Sequence, residues 1–237
     1  MWIQIRATNL EKFLTCPYRY KYEPEPEPDK MAFLFGTALH KLVEIHVQWK
    51  ENQDAVNIIL ERFWVKERKM LKALTECFME HLKERNLEYV LSEYSYIHKF
   101  SDIVDISWDN PILEWTFDLL FKDWDDFIIV DIKTASKHRD EEHIASVNQK
   151  RIYPALAELE SWIKVSRFEY RVMNKTLSPK LQEVVFEVPE NNTEVVTAYM
   201  QALVNAEDNL DFPAAYTNYS CFFCALKKEC RALNNIR

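Results

Sequence analysis

Polar and apolar positions change rhythm along this chain, and the changes mark out its elements. Residues 9–22 (NLEKFLTCPYRYKY), opening on a cap-like Thr8 or Asn9, predict a short helix ending near Pro17. Residues 32–51 and 54–88 repeat apolar side chains at helical spacing with few breakers, predicting two consecutive long helices. Within the second, Cys77 falls among Leu74, Phe78 and Leu82, where a buried thiol packs well. From about residue 89 the texture turns β-branched and aromatic. Strands are expected near 94–99, 102–107, 112–121, 127–133, 166–173 and 181–187. A helix is expected over 140–162, kinked at Pro154, and another over 193–208 ahead of a cysteine-rich tail. Helices followed by a hairpin, then helix, strands and helix, describe a mixed α/β core with a helical segment inserted near the N-terminus. No internal repeat is present.

Composition narrows the function. The chain of 237 residues has one glycine, Gly36, where average usage would give roughly 16. Phosphate-cradling loops need several glycines for positive φ and close backbone approach. A P-loop, a GxGxxG loop and a GxSxG elbow are therefore excluded. Net charge is −8, which argues against nonspecific binding of nucleic acid yet leaves room for a local basic groove. Four of the acids lie in EPEPEPD (residues 23–29), where alternating proline forbids helix and predicts a stiff extended connector. No apolar stretch is long enough to span a membrane and no secretory leader is evident, so a cytoplasmic location is expected. Five cysteines in that reducing setting read as thiols or metal ligands rather than disulfides.

Candidate chemistry begins in the hairpin ILEWTFDLLF (112–121), KDWDD, FIIVDIK (127–133). Alternation along a strand puts Glu114, Thr116 and Asp118 on one face and Trp115, Phe117 and Leu119 on the other. On the next strand Asp131 and Lys133 share a face. Antiparallel pairing can thus bring Asp118, Asp131 and Lys133 together. An aspartate inside the apolar run FIIVDI is costly to bury alone, and a divalent cation is a suitable partner. Two carboxylates and a lysine are the ingredients of metal-assisted phosphodiester hydrolysis. A structural Asp–Lys pair would leave the same trace in sequence. His40 and Glu44, at i and i+4, share a helical face, as do Gln149 and Tyr153, with Lys150 and Arg151 beside them. Gln and Tyr can bond phosphates or stack on bases; ordinary structural roles fit both pairs too.

Cys221, Cys224 and Cys230 form C-x2-C-x5-C, and Cys16 lies far upstream in CPYRYKY. Three clustered thiols need a fourth ligand, and Cys16 would close the set by clipping the chain ends together. Spacing leaves zinc and an iron–sulfur cluster open.

Taken in order, CPYRY (16–20), GTALHKLVE (36–44), FDLLF (117–121), VDIKT (130–134), QKRIY (149–153) and CFFCALKKEC (221–230) resemble the RecB-like branch of the PD-(D/E)XK nucleases. More closely the chain is similar to iron–sulfur members: CRISPR-associated four-cysteine exonucleases, AddB-type helicase–nuclease subunits and viral relatives. The resemblance implies a restriction-endonuclease-like mixed sheet flanked by helices over a single domain, 1–237, with a helical insertion at 30–90, a catalytic sheet core at 91–190 and a C-terminal helix and cysteine cluster at 191–237. It implies a Mg²⁺- or Mn²⁺-dependent exonuclease acting on single-stranded or end-containing DNA, in recombination, repair or CRISPR prespacer processing. Helicase, recombination or CRISPR adaptation proteins are the implied protein partners, and a non-catalytic DNA-end-binding module is the alternative. His40, Asp118, Asp131 and the Ile132 carbonyl would hold the metal, Lys133 would be the catalytic lysine, and Gln149 and Tyr153, flanked by Lys150 and Arg151, would position DNA. Glu44 would support His40. Cys16, Cys221, Cys224 and Cys230 would hold a [4Fe–4S] cluster, with zinc the lesser alternative. The family usually has glycine three residues before the first aspartate; here that residue is Trp115, which strand parity assigns to the apolar face.

Overall fold

A computed structural model describes residues 4–24, 29–48, 53–106, 112–136, 147–159, 163–215, 221, 224–228 and 230. The N-terminal residues form a strand, β1 (Gln4–Arg6), and a helix, α1 (Ala7–Thr15). The helix expected over 9–22 is in fact two. Pro17 lacks the amide that would continue α1, so Cys16 is extended (φ −166°) and Pro17 starts α2 (Pro17–Tyr22) as its first residue. Next come α3 (Lys30–Val47), capped by the Asp29 carboxylate on the Met31 and Ala32 amides, α4 (Gln53–Leu60) and α5 (Val65–Arg85). The single helix expected over 54–88 is broken at 61–64, where Phe63 turns into the core and Trp64 remains exposed. The EPEPEPD segment lies partly outside the described residues.

The strands β2 (Glu88–Lys99), β3 (Ile112–Asp123) and β4 (Asp126–Ala135) form an antiparallel meander. Helix α6 (Gln149–Leu159), β5 (Val165–Asn174), β6 (Leu181–Glu187) and α7 (Asn192–Asn209) complete the order. No strand forms at 102–106: the chain leaves β2 through a 3₁₀ turn at Phe100–Asp102, with Phe100 buried. The expected helix over 140–162 is seen from Gln149; residues 140–146 lie outside the described part. Pro154 sits within α6. Among the described residues, no helix is long and apolar enough to cross a membrane.

These strands make one mixed sheet in which β4 pairs parallel to β5 and β5 antiparallel to β6. The decisive feature is β3. One edge pairs with β2 along nearly its whole length. The other is divided: Ile112–Glu114 pair with β1 and Leu119–Asp123 with β4. Residues 115–118 thus lie in a fork between β1 and β4. Each face of the sheet carries its own core. Helices α1, α6 and α7 cover Trp115, Phe117, Ile129, Phe168 and Tyr170, whereas α3, α4 and α5 cover Leu119, Phe121, Ile128, Val130 and Ile132. Helices on both faces of a mixed sheet agree with the expected α/β class.

A charged brace crosses the second face. Arg171 and Glu169 on β5 are both 0% exposed and paired with each other. Glu169 also takes Arg85 of α5 at 3.0 Å, Arg171 also reaches Glu183 of β6, and the Arg171 guanidinium donates to His81 Nε2 at 2.7 Å. Burial, then the Arg171 charge, push the His81 pKa down, consistent with a neutral acceptor ring. Removing one member of a buried charge set strands the others. Arg171→Leu is therefore expected to lower unfolding stability by about 3–5 kcal/mol, with Glu169→Leu in the same chain recovering a large part of that loss. Urea denaturation of the two variants checks this; a single variant as stable as the parent would refute the brace.

Candidate active site

Where β3 and β4 part, backbone groups lose their ladder partners, and side chains take them. The Asp118 carboxylate accepts the Ile132 amide at 2.6 Å, and His40 Nε2 lies 3.2 Å from the Ile132 carbonyl. Asp118 thereby does for β4 what a continuing β3 strand would have done. Burial by itself would raise the Asp118 pKa, but His40, then Lys133 and the Ile132 amide, reverse the effect and hold it below the ordinary value. Asp131, 2% exposed, follows the opposite course. Burial, reinforced by the Asp118 charge and opposed by Lys133, pushes its pKa up to about 6. Lys133 Nζ bonds Asp131 Oδ1 at 2.9 Å. Oδ2 also lies 2.8 Å from Nζ, yet it is buried without a hydrogen bond of its own. Burial lowers the Lys133 pKa, but Asp131 and then Asp118 raise it further, so the amine stays charged.

The partner that sequence reading missed is Glu93. Ser92 faces Leu119 and Tyr94 faces Phe117, so Glu93 stands opposite Asp118. Its φ of 47° is rare for a residue with a side chain, and such strain collects at functional sites. The faces of β3 switch at the same point. Phe117 joins the α6 and α7 core, whereas Leu119, expected on that face, joins the α3–α5 core. Strict alternation fails at Asp118, opposite the positive-φ residue Glu93. Glu93 Oε1 lies 3.2 Å from His40 Nδ1, and Asp118 Oδ1 lies 3.3 Å from it. Burial would depress the His40 pKa; Asp118, then Glu93, overcome it and raise the value to about 10. The signal was a carboxylate inside YVLSEYSYI, just before the expected strand at 94–99.

The remaining residues divide. Tyr153 is 7% exposed, packed against Trp115 and Phe168 with ring centroids 6.2 Å apart in each case. Burial, then Asp131 and Asp118, raise its pKa, so it lies beneath the acidic centre. Gln149 is buried and accepts a hydrogen bond from the Tyr170 hydroxyl at 3.2 Å. Lys150 covers the Phe186 ring at 4.3 Å, and the Arg151 carbonyl accepts from Asn192 at 2.8 Å. Glu44 is not placed on His40: its carboxylate pairs with Lys41 and takes Gln48 at 3.1 Å. Glu93 occupies the supporting position instead, because the His40 ring is aimed at β2 and β4 and Glu44, one turn on, is held by its helical neighbours. Trp115 stacks on Tyr96 at 4.6 Å and 14° and is buried, as its parity required. Glu11 of α1 approaches the centre from the other side. Its pKa is raised by burial, against the Asn148 amide and Lys133.

These side chains suit a hard divalent ion. One donor atom each from His40, Glu93 and Asp118 falls within 4.8 Å of the others, and the buried Asp131 oxygen without a hydrogen bond is a fourth donor close by. Oxygen donors with one imidazole fit Mg²⁺ or Mn²⁺.

The cysteines gather at the chain ends. The Ala215 amide donates to Cys16 Sγ at 3.4 Å, and the Ala215 carbonyl accepts from Cys221 at 3.8 Å. The Cys224 pKa is raised first by burial, with Cys16 among the charges that it senses. Cys77, expected to be a packing thiol, contacts the Pro179 carbonyl at 3.7 Å, far along the chain from the others. Among the described residues, no three cysteine sulfurs lie within 4.8 Å of one another.

No curated protein matches the sequence. Solved structures do. SSO0001 aligns over 97% of this chain and 86% of its own at 15% identity, with a TM-score of 0.46. A candidate exonuclease from Eubacterium rectale aligns over 97% of this chain and 87% of its own at 9% identity, with a TM-score of 0.50, a likeness of fold. The profile of the PD-(D/E)XK nuclease superfamily matches residues 4–231, nearly the whole sequence and every strand and helix described above. With the fold and the acidic fork already in place, the chain belongs to the PD-(D/E)XK nuclease superfamily.

Proposed function

We propose that this protein is a divalent-metal-dependent DNA exonuclease, acting on single strands or DNA ends, built as one nuclease domain with residues 30–90 as a helical insertion. The observation that carries the reading is the fork. Asp118, Asp131, His40 and the Ile132 carbonyl converge on it, and the Lys133 amine adjoins both oxygens of the buried Asp131 carboxylate. Asp118, Asp131 and His40, with the Ile132 carbonyl, would hold the ion. A bound Mg²⁺ or Mn²⁺ supplies Lewis acidity toward the phosphate and acidifies a water. The chain's own contributions follow from the geometry. Lys133, kept protonated by two aspartates, places a fixed positive charge where negative charge develops on the phosphate and can orient the attacking water. Gln149 and Tyr153, both buried on α6, would position DNA only indirectly, by supporting the site from within. DNA repair, recombination or CRISPR prespacer processing are the settings in which such an activity serves, with a helicase or adaptation protein as partner.

We further infer a [4Fe–4S] cluster on Cys16, Cys221, Cys224 and Cys230. The shared contacts of Ala215 with Cys16 and Cys221 support it. Tetrahedral zinc on the same four thiolates is the alternative.

Three measurements test these readings. End-labelled single- and double-stranded DNA, with each end blocked in turn, should be degraded with Mg²⁺ or Mn²⁺ and left intact with chelator. Asp131→Asn and Lys133→Ala should each lose about 10²–10³-fold in rate, the scale of removing one preorganised charge. Full activity in either variant refutes the mechanism, and DNA binding without cleavage in the parent supports a non-catalytic end-binding module instead. Metal affinity should depend on pH with a defined sign. The His40 pKa of about 10 means that a proton must leave before the ring can ligate, so Mn²⁺ affinity of chelator-treated protein should rise about tenfold per pH unit between pH 7 and 9. The slope should steepen below the Asp131 pKa of about 6. Calorimetry in two buffers of different ionisation enthalpy reads the released proton, and an affinity independent of pH excludes His40 as a ligand. Finally, Cys221→Ser should lower the melting temperature far more than Cys77→Ser, because losing one ligand compromises the whole site; equal melting temperatures count against the cluster.

A further inference from the structure

Helix α3 leaves one face open beside the candidate centre. Phe33, Gly36, Thr37, His40 and Glu44 follow one another at helical spacing along it, and with Glu93 they line a groove of about 480 Å³. The groove runs into the candidate centre, since it includes His40, a proposed metal ligand, and Glu93, which pairs with His40.

Two of its residues have no internal explanation. Phe33 is 67% exposed, whereas Phe35 on the opposite side of the helix is 6% exposed and packs edge-on against Phe63. Gly36 is the only glycine of the chain and stands in a helix interior, where glycine is about 1 kcal/mol less favourable than alanine. It does not have positive φ. A Cβ built on it would meet nothing within 4 Å. Neither backbone conformation nor packing inside the protein therefore requires glycine. Its effect is external: it keeps the groove floor bare one helical turn before His40.

We propose that this groove is the track of a single DNA strand, in which Phe33 stacks on an unpaired base and Gly36 provides clearance for the sugar–phosphate backbone on its way to the centre. The proposal rests on the nuclease reading and gives it a specificity. At 1.5 Å rise per residue, Phe33 lies roughly 10 Å along the helix axis from His40, within a few nucleotides of the scissile phosphate. An aromatic face can stack on a base only where that base is unpaired or terminal, and stacking is indifferent to sequence because every base has a π-face. The groove volume falls in the range that holds a drug-sized ligand, the scale of a nucleotide. His40 and Glu93 make the groove continuous with the reacting end, which a peptide-docking surface would not need.

The test uses the full chain with Ca²⁺ and an oligothymidylate carrying 2-aminopurine at successive positions from one end. Stacking on Phe33 should quench the fluorophore at one or two adjacent positions. Phe33→Ala should abolish that quenching and weaken single-strand binding about 5- to 150-fold, the range for one stacked base, while Phe33→Trp retains both. Gly36→Leu should melt no lower than the parent, because its side chain meets open space, yet bind the single strand at least tenfold more weakly. Mn²⁺ affinity measured by calorimetry should be the same in all variants, and blunt duplex binding should fall far less than single-strand binding. Unchanged single-strand binding in Phe33→Ala and Gly36→Leu overturns the proposal, as does an equal loss on duplex and single strand. Failure of the parent chain to bind or cut DNA with Mn²⁺ overturns the nuclease reading and this track with it. Cleavage by the parent together with indifferent groove variants refutes the track alone.

Discussion

One hydrogen bond organises the molecule: the Asp118 carboxylate accepting the Ile132 amide at 2.6 Å. It is needed because β3 gives its free edge first to β1 and then to β4, so that β4 runs on past the point where its ladder with β3 ends. An unpaired amide in that buried fork would be unfavourable by an amount comparable to the whole net value of a hydrogen bond. A carboxylate in its place satisfies the amide and brings a negative charge into the fork. Much of the chemistry of the site involves that charge. His40 is drawn toward protonation chiefly by it, Lys133 is held charged by Asp131 and then by it, and it adds to the burial that pushes Asp131 the other way.

The two faces of the sheet treat buried charge differently, and the contrast separates structure from chemistry. Toward α5, Arg171, Glu169, Arg85 and Glu183 are matched sign for sign, with a neutral His81 accepting one more bond. Such a set braces helix to sheet. At the fork Glu93, Asp118 and Asp131 outnumber His40 and Lys133, one carboxylate oxygen has no hydrogen bond, and a side chain holds positive φ. Excess negative charge and local strain mark a place shaped for something that is added. The net charge of −8 reflects this centre in part. Basic residues near the N-terminus are largely neutralised within the fold, Arg19 by Glu23 and Lys21 by Glu207.

Much of the fold was legible along the chain. Apolar alternation located β4, β5, β6 and most of β3, and helical spacing located α3 and α7. The places where it failed have local causes. Residues 102–106 read as strand because Ile103, Val104 and Ile106 are β-branched, but the chain enters them through a 3₁₀ turn anchored by the buried Phe100. The 54–88 pattern continued in phase across a break, because Phe63 and the α5 stripe serve the same core. Glu44 was assigned to His40 by the resemblance, and a shared helical face is silent about the rotamer that points it at Lys41 and Gln48.

What the sequence determined by itself was chemistry within single elements: Asp131 and Lys133 on one strand face, His40 and Glu44 on one helix face, Pro17 ending α1. Those relations come from the fixed periods of strand and helix, which travel with the covalent chain. Only the tertiary structure decided that Glu93 stands opposite Asp118, that β1 takes the edge β4 gives up, and that Ala215 reaches both Cys16 and Cys221. Each of these depends on register or docking between segments distant in sequence. That is set by which faces bury together and which backbone groups would otherwise go unbonded, a balance no local pattern records.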